Sequence, residues 1–113
     1  MSSGIKTMIY PVKDITRAKA LYSKLSGVAP MMDQPYYVQF NVGDQEIGLD
    51  PNGHSKGMTG PLGYWHVDDI RTSLRELLDA GAEELQAITD VGGRLIASVK
   101  DADGNQIGLL QSR

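Results

Sequence analysis

Tyr10-Pro11-Val12-Lys13-Asp14-Ile15-Thr16-Arg17 and Trp65-His66-Val67-Asp68-Asp69-Ile70-Arg71-Thr72 decide the fold. They stand 55 positions apart in a chain of 113 residues. Each closes an apolar, extended run with Val, passes one charged residue, reaches an Asp and opens a helical pattern. An N-terminal Asp accepts from the first backbone amides of a helix and complements its positive end. A second echo follows each junction: Gln45-Glu-Ile-Gly-Leu-Asp50 is answered by Gln106-Ile-Gly-Leu-Leu-Gln111, so Ile47-Gly48-Leu49 matches Ile107-Gly108-Leu109. The order strand, helix, strands therefore occurs twice.

The elements follow in order. Ile5 to Val12 reads as a strand, with Pro11 at a frayed end or an edge. From Ile15 the apolar residues Ile15, Ala18, Leu21, Tyr22 and Leu25 form one helical face, and Gly27 stops the helix. Val28 to Asp33 is a short strand in which Met31 and Met32 fill core gaps or line a pocket. Tyr36 to Val42 and Glu46 to Asp50 form a hairpin about Gly43-Asp44. The stretch from Pro51 to Pro61 is rich in Gly and Pro and reads as a loop without helix or strand interior. It is a linker between the repeats, or else a flap that presents His54, Lys56 and Met58. The second half repeats the order. Leu62 to Val67 is a strand, and Asp69 caps a helix whose Ile70, Leu74, Leu77 and Leu78 share a face before Gly81. Strands follow at Glu83 to Asp90, Arg94 to Lys100 and Gln106 to Gln111, with turns at Gly92-Gly93 and Asp103-Gly104.

Composition bounds the function. The length suits one domain, 1–113, with a first module at about 5–51, a linker at 52–60 and a second module at about 61–111. An apolar fraction of 41% suits a folded, soluble chain. No apolar run approaches the roughly 20 residues that cross a bilayer, and no signal-peptide pattern precedes the first strand. With no cysteine, disulfides, thiol nucleophiles and thiolate metal sites are excluded. These features are those of a cytoplasmic protein. The net charge of −3 and scattered basic residues argue against nucleic acid as a partner.

The twofold order, the paired Val-x-Asp junctions and above all Lys100-Asp-Ala-Asp-Gly-Asn-Gln-Ile-Gly-Leu109 resemble the vicinal oxygen chelate superfamily, which includes glyoxalase I, extradiol dioxygenases and the fosfomycin- and bleomycin-resistance proteins. The resemblance spans roughly residues 5 to 111. It implies an α+β fold in which two βαβββ modules form a curled mixed sheet around a cleft, with the helices outside. It also implies a divalent metal, held by a His on the first strand of each module and a Glu on a last strand. The pattern puts the His seven residues before each junction Asp, at Thr7 and Leu62, and the Glu at Gly108 or its counterpart Gly48. None of these residues supplies a strong ligand, so the fold is expected without the family's usual metal and with no cofactor.

Strand alternation extends the reading. If those positions face the cleft, so do Ile9, Pro11, Tyr64, His66, Asp50, Gln106 and Leu110. The ligand-binding set is then Thr7, Ile9, Gly48, Asp50, Leu62, Tyr64, His66, Gln106, Gly108 and Leu110. Gly48 and Gly108 leave room where carboxylates would sit. The opposite parity, Met8, Tyr10, Val12, Ile47, Leu49, Trp65, Val67, Ile107 and Leu109, is apolar and suits the helix side. Tyr36, Tyr37, Gln39 and Asn41 lie on a strand whose parity is open. His66 is the foremost candidate for acid–base chemistry, with Tyr64 beside it, although a His held by Asp68, Asp69 or the backbone explains it as well. A metal on His54, His66 and Asp50 matches no short motif.

The first reading is a metal-independent small-molecule-binding protein that sequesters a drug or metabolite, as the bleomycin-resistance branch does, and that works as a homodimer. The second is a metal-independent lyase or isomerase using His66 or Tyr64. The third is an interaction module whose cleft is filled by its own side chains.

Overall fold

The computed structural model of the chain describes residues 2–112. The repeat is realised element by element. The first module comprises β1 (Ser2–Pro11), α1 (Ile15–Ser26), β2 (Met32–Gln34), β3 (Tyr37–Val42) and β4 (Gln45–Asp50). The second comprises β5 (Leu62–Val67), α2 (Ile70–Asp79), β6 (Glu83–Val91), β7 (Arg94–Lys100) and β8 (Gln106–Gln111). The described residues group into two compact units, Lys6–Leu62 and residues 2–5 with 63–112. The first residues of β1 thus group with the second module.

Within Lys6–Leu62 the strand order is β2-β3-β4-β1. β1 runs parallel to β4, and the other two pairings are antiparallel. Within the other unit the order β5-β8-β7-β6 repeats that scheme, with β5 parallel to β8. A parallel pair needs a crossover, and α1 and α2 lie within those crossovers. The registers correspond as well: Ile9 lies beside Gly48 as Tyr64 lies beside Gly108. The α+β architecture of two βαβββ modules is therefore the one expected.

Both junction aspartates cap their helices. The Asp14 carboxylate accepts from the Arg17 amide at 3.1 Å. Asp69 accepts from the amides of Arg71 and Thr72 and from the Thr72 hydroxyl. The Thr72 contacts are the main reason its carboxyl sits below the usual range. α2 gains a further cap from the last strand, where the Gln111 side-chain oxygen accepts from the Ile70 amide at 2.8 Å. Gly27 ends α1 in the left-handed region, with φ of 74°. The terminal hairpin is tied by Asp101, which accepts from the amides of Asp103 and Asn105 and from the Asn105 side chain. The Asn105 bonds lower its carboxyl below the usual range. The Asp-x-Asp-Gly-Asn motif is thus the wiring of a turn.

Each helix covers one sheet face. Val38, Phe40 and Leu49 form the buried cluster under α1, joined by Tyr10, Val12, Ile15, Ala18, Tyr22 and Ile47. Ile70, Leu74, Ala97, Val99 and Leu109 form the cluster under α2, with Val67, Leu77 and Ile107 at its margin. The helix-side parity is therefore as expected, with exceptions that have local causes. Leu21 and Leu25 are 62% and 77% exposed rather than packed. At 100° per residue, the seam runs through Ile15, Ala18 and Tyr22; Leu21 is turned roughly 90° off its centre. Leu25 lies in the last turn of α1. Trp65 is also exposed, because α2 packs over β6, β7 and β8 and leaves β5 at its margin.

The Pro51–Pro61 stretch is more ordered than its composition suggests. Residues His54–Lys56 form a single 3-10 turn, closed by the Lys56 amide donating to Asn52 and Gly53 carbonyls. The Asp50 carboxylate starts it, accepting from the Asn52 amide at 2.8 Å and from the Lys56 ammonium at 2.9 Å. Gly53 is buried against Pro11 and Met58, and a Cβ there would lie 2.6 Å from the Pro11 Cβ. The stretch is a folded cap on its own unit.

Candidate functional site

The sheet faces turned away from the helices carry the candidate residues. In the Lys6–Leu62 unit the registers Ile9–Gly48–Gln39 and Thr7–Glu46–Asn41 fix that face. They settle the parity of β3: Tyr37, Gln39 and Asn41 share the face of Thr7, Ile9, Gly48 and Asp50, while Val38 and Phe40 face α1. Tyr36 lies outside the strand and is exposed. In the other unit Tyr64, Gly108 and Ser98 lie side by side, as do His66, Leu110 and Ile96. Gln106 continues the same parity opposite Lys100.

These faces are buried and polar together. Thr7, Gln39, Asp50 and Ser98, the buried polar residues among those described, all lie on them. A buried polar group is costly unless it finds a partner, and Thr7, Gln39 and Asp50 each have one. The Thr7 hydroxyl donates to the Glu46 carboxylate at 3.0 Å, and the Gln39 amide donates to Asn41 at 2.9 Å. Asp50 is engaged by Asn52 and Lys56, so its carboxylate organises the 3-10 turn rather than standing open as a polar point. Leu62 and Leu110 are buried apolar residues, and Ile9 is partly buried.

The two glycines require a correction. They do not leave room. A Cβ on Gly48 would fall on the Tyr37 hydroxyl, with the ring carbon bearing it at 2.7 Å. A Cβ on Gly108 would lie 2.6 Å from Cδ2 and 2.8 Å from Cγ of Tyr64, and 2.9 Å from the Gly63 carbonyl oxygen. Phenol rings occupy the volume that any side chain at 48 or 108 would need. Parity put Tyr64 on the right face, but periodicity carries no information about how far a ring leans over its neighbour.

The residues do not fit the divalent metal that the fold family implies. Thr7 is committed to Glu46, Leu62 has no donor atom, and both glycines lie under aromatic rings. Among the described residues no three His, Asp or Glu side chains are placed to hold an ion, the set His54, His66 and Asp50 included.

His66 is half-buried on β5 and borders an open depression of about 250 Å³ with Ser3, Val67, Asp68 and Ser112. The Ser3 hydroxyl contacts the His66 carbonyl oxygen at 3.5 Å, so the serine is directed to the backbone rather than the imidazole. A larger depression, about 400 Å³, lies beside the terminal hairpin between Gly81, Glu83 and Lys100 to Gly104. It contains none of the candidate residues. Its Lys100 is 3.4 Å from Glu83, and its Asp101 is spent on the turn.

Comparison with known proteins agrees with this architecture. No curated protein sequence matches the chain. Among solved structures, methylmalonyl-CoA epimerase from Mycobacterium tuberculosis is similar with a TM-score of 0.72 and 17% identity, over 99% of this chain and 89% of that one. A glyoxalase/bleomycin resistance protein/dioxygenase superfamily member from Vibrio splendidus has a TM-score of 0.72 and 13% identity, over 99% and 100% of the two chains. An NAD-dependent benzaldehyde dehydrogenase from Legionella pneumophila has a TM-score of 0.75 and 15% identity, over 95% and 98%. At such identities the likeness is one of fold. The family model of the glyoxalase/bleomycin resistance protein/dioxygenase superfamily matches residues 4–109, and the chain belongs to that superfamily.

Proposed function

We propose that the protein binds a small molecule without a metal, on the sheet faces turned away from its helices, and sequesters it as a homodimer. One observation carries the reading: every buried polar residue described lies on those faces, whereas the buried members of the helix-side clusters are all apolar. A stable core needs no such arrangement. A ligand surface does, since a few fixed polar groups among apolar and aromatic walls give orientation and selectivity. In the Lys6–Leu62 unit Thr7, Gln39 and Asn41 supply polar points and Ile9 and Tyr37 supply wall; in the other unit Gln106 supplies a polar point and Tyr64 and Leu110 supply wall.

Native mass spectrometry of the protein as purified, with metal analysis of the same sample, tests the reading. The expected result is a dimer without stoichiometric divalent metal, and any added mass identifies the ligand class. One Ni, Zn, Mn or Fe per chain would overturn it.

A second reading, a metal-independent lyase or isomerase, is favoured by one feature: His66 opens on a depression with two hydroxyls and a carboxylate at its edge. A turnover whose pH dependence vanishes in His66→Ala distinguishes it from sequestration. If turnover persists in that variant, the proposed role of His66 is wrong.

A further inference from the structure

Gly48 and Gly108 occupy corresponding registers, yet their coverings differ. Neither has a positive φ, so backbone conformation does not demand glycine at either place. The demand comes from the rings. Tyr37 reaches Gly48 diagonally from β3, on the far side of β4 from β1. Tyr64 reaches Gly108 from β5, directly across the parallel pair. The same gap is thus closed from opposite flanks in the two modules, so the duplication alone does not account for it.

The closures also differ in kind. At Gly48 the atoms met belong to the far end of one side chain, and Tyr37 is only partly buried. At Gly108 the backbone carbonyl of Gly63 closes the space together with Tyr64, which is 4% exposed. Removing a ring therefore opens the first position and leaves the second blocked.

We propose that Tyr37 is a plug that keeps the Thr7–Glu46–Gly48 surface closed to divalent cations, and that positions 37 and 48 form a single coupled choice: a donor side chain at 48 is admitted only when the ring at 37 is gone. This deepens the metal-independent reading, on which it rests. The surface is otherwise suited to conversion. Glu46 already stands 3.0 Å from the Thr7 hydroxyl, and position 48 follows two residues along the same strand face. An imidazole at 7 with carboxylates at 46 and 48 is a donor set suited to a first-row divalent ion.

The test titrates Ni²⁺ alone into three purified proteins by calorimetry: the unmodified chain, Thr7→His/Gly48→Glu, and Thr7→His/Tyr37→Ala/Gly48→Glu. Circular dichroism checks that each is folded. The triple variant is expected to bind one Ni²⁺ per chain at least tenfold more tightly than the double variant. Equal affinity of the two, or no binding by a folded triple variant, would overturn the plug. Stoichiometric nickel binding by the unmodified chain would instead count against the metal-independent reading. Should the triple variant not fold, urea unfolding of Gly48→Ala with and without Tyr37→Ala decides the matter. The alanine is expected to destabilise only where the ring is present, and an equal loss in both backgrounds would overturn the coupling. In the parallel series, Tyr64→Ala is expected to rescue Gly108→Ala poorly.

Discussion

Gly108→Ala is the sharpest test of how the second module is packed. Replacing glycine by alanine at a position with negative φ ordinarily stabilises a protein by about 0.4–1 kcal/mol, because the unfolded chain loses freedom. Gly108 meets that condition, so its sign is decided by contact alone. The new methyl would lie 2.6 Å from Tyr64 Cδ2 and 2.9 Å from the Gly63 carbonyl oxygen, both well inside van der Waals separation. Tyr64 is 4% exposed and Gly63 presents backbone, so neither yields without moving strand β5. Overpacking of this kind costs about 1–3 kcal/mol, and two immobile neighbours place Gly108→Ala at about 3. For a chain of this size that lowers the melting temperature by roughly 10 °C. Urea unfolding followed by circular dichroism measures the free energy directly. The same substitution at Gly48 meets only the end of the Tyr37 ring and is expected to cost about 1 kcal/mol. A Gly108→Ala protein as stable as the original, or one less affected than Gly48→Ala, would refute the packing described for that strand pair.

Other expectations follow from the same geometry. Phe40→Ala empties a fully buried position under α1 and should cost about 3–5 kcal/mol in urea unfolding. Leu25→Glu should change stability by less than about 0.5 kcal/mol, because the side chain is 77% exposed; a large loss would place it in an interface. Asp50→Ala removes the acceptor of both Asn52 and Lys56 and should cost about 2 kcal/mol while exposing the 3-10 turn to limited proteolysis. The carboxyls of Asp69 and Asp101 are both held low by hydrogen bonds from Thr72 and Asn105, respectively. Their contribution to stability is therefore complete above the ordinary Asp value near pH 4 and is lost as pH falls through the lower folded values. The Asp69→Asn/Asp101→Asn protein should show a flatter stability profile below about pH 4 than the original, measured by thermal unfolding across buffers.

Sequence periodicity reached most of the fold because its determinants are local. The caps at Asp14 and Asp69 act within three residues, and Gly27 ends α1 through its own φ. The apolar parity of Tyr10, Leu49 and Leu109 is set by alternation within one strand. What escaped the reading depends on reach. Whether Leu21 is covered depends on how α1 is rotated over β3 and β4, which its apolar spacing leaves open by about a quarter of a turn. The 3-10 turn at His54–Lys56 depends on Asp50 lending its carboxylate to a stretch whose glycines and prolines read as breakers. A signal was present there, since an Asp side chain often accepts from the backbone two residues on and starts a turn.

The site divides along the same line. Which residues share a face follows from register, and the predicted set lies on the faces away from the helices. What each residue does there depends on its neighbours. Asp50 is a carboxylate in sequence and a turn anchor in space, while Thr7 stands at a position expected to offer little and holds Glu46 at 3.0 Å. Gly48 and Gly108 show why a missing side chain cannot be equated with space. A glycine in a buried strand leaves a void only if nothing leans into it, and close packing makes such voids rare. A tyrosine two residues along the adjacent strand, or directly opposite, has the length to fill one. Glycine within a buried strand should therefore prompt a search for the aromatic residue that covers it. Here that search leads from two absent ligands to Tyr37 and Tyr64, the residues whose removal tells most about how the surface of each unit is closed.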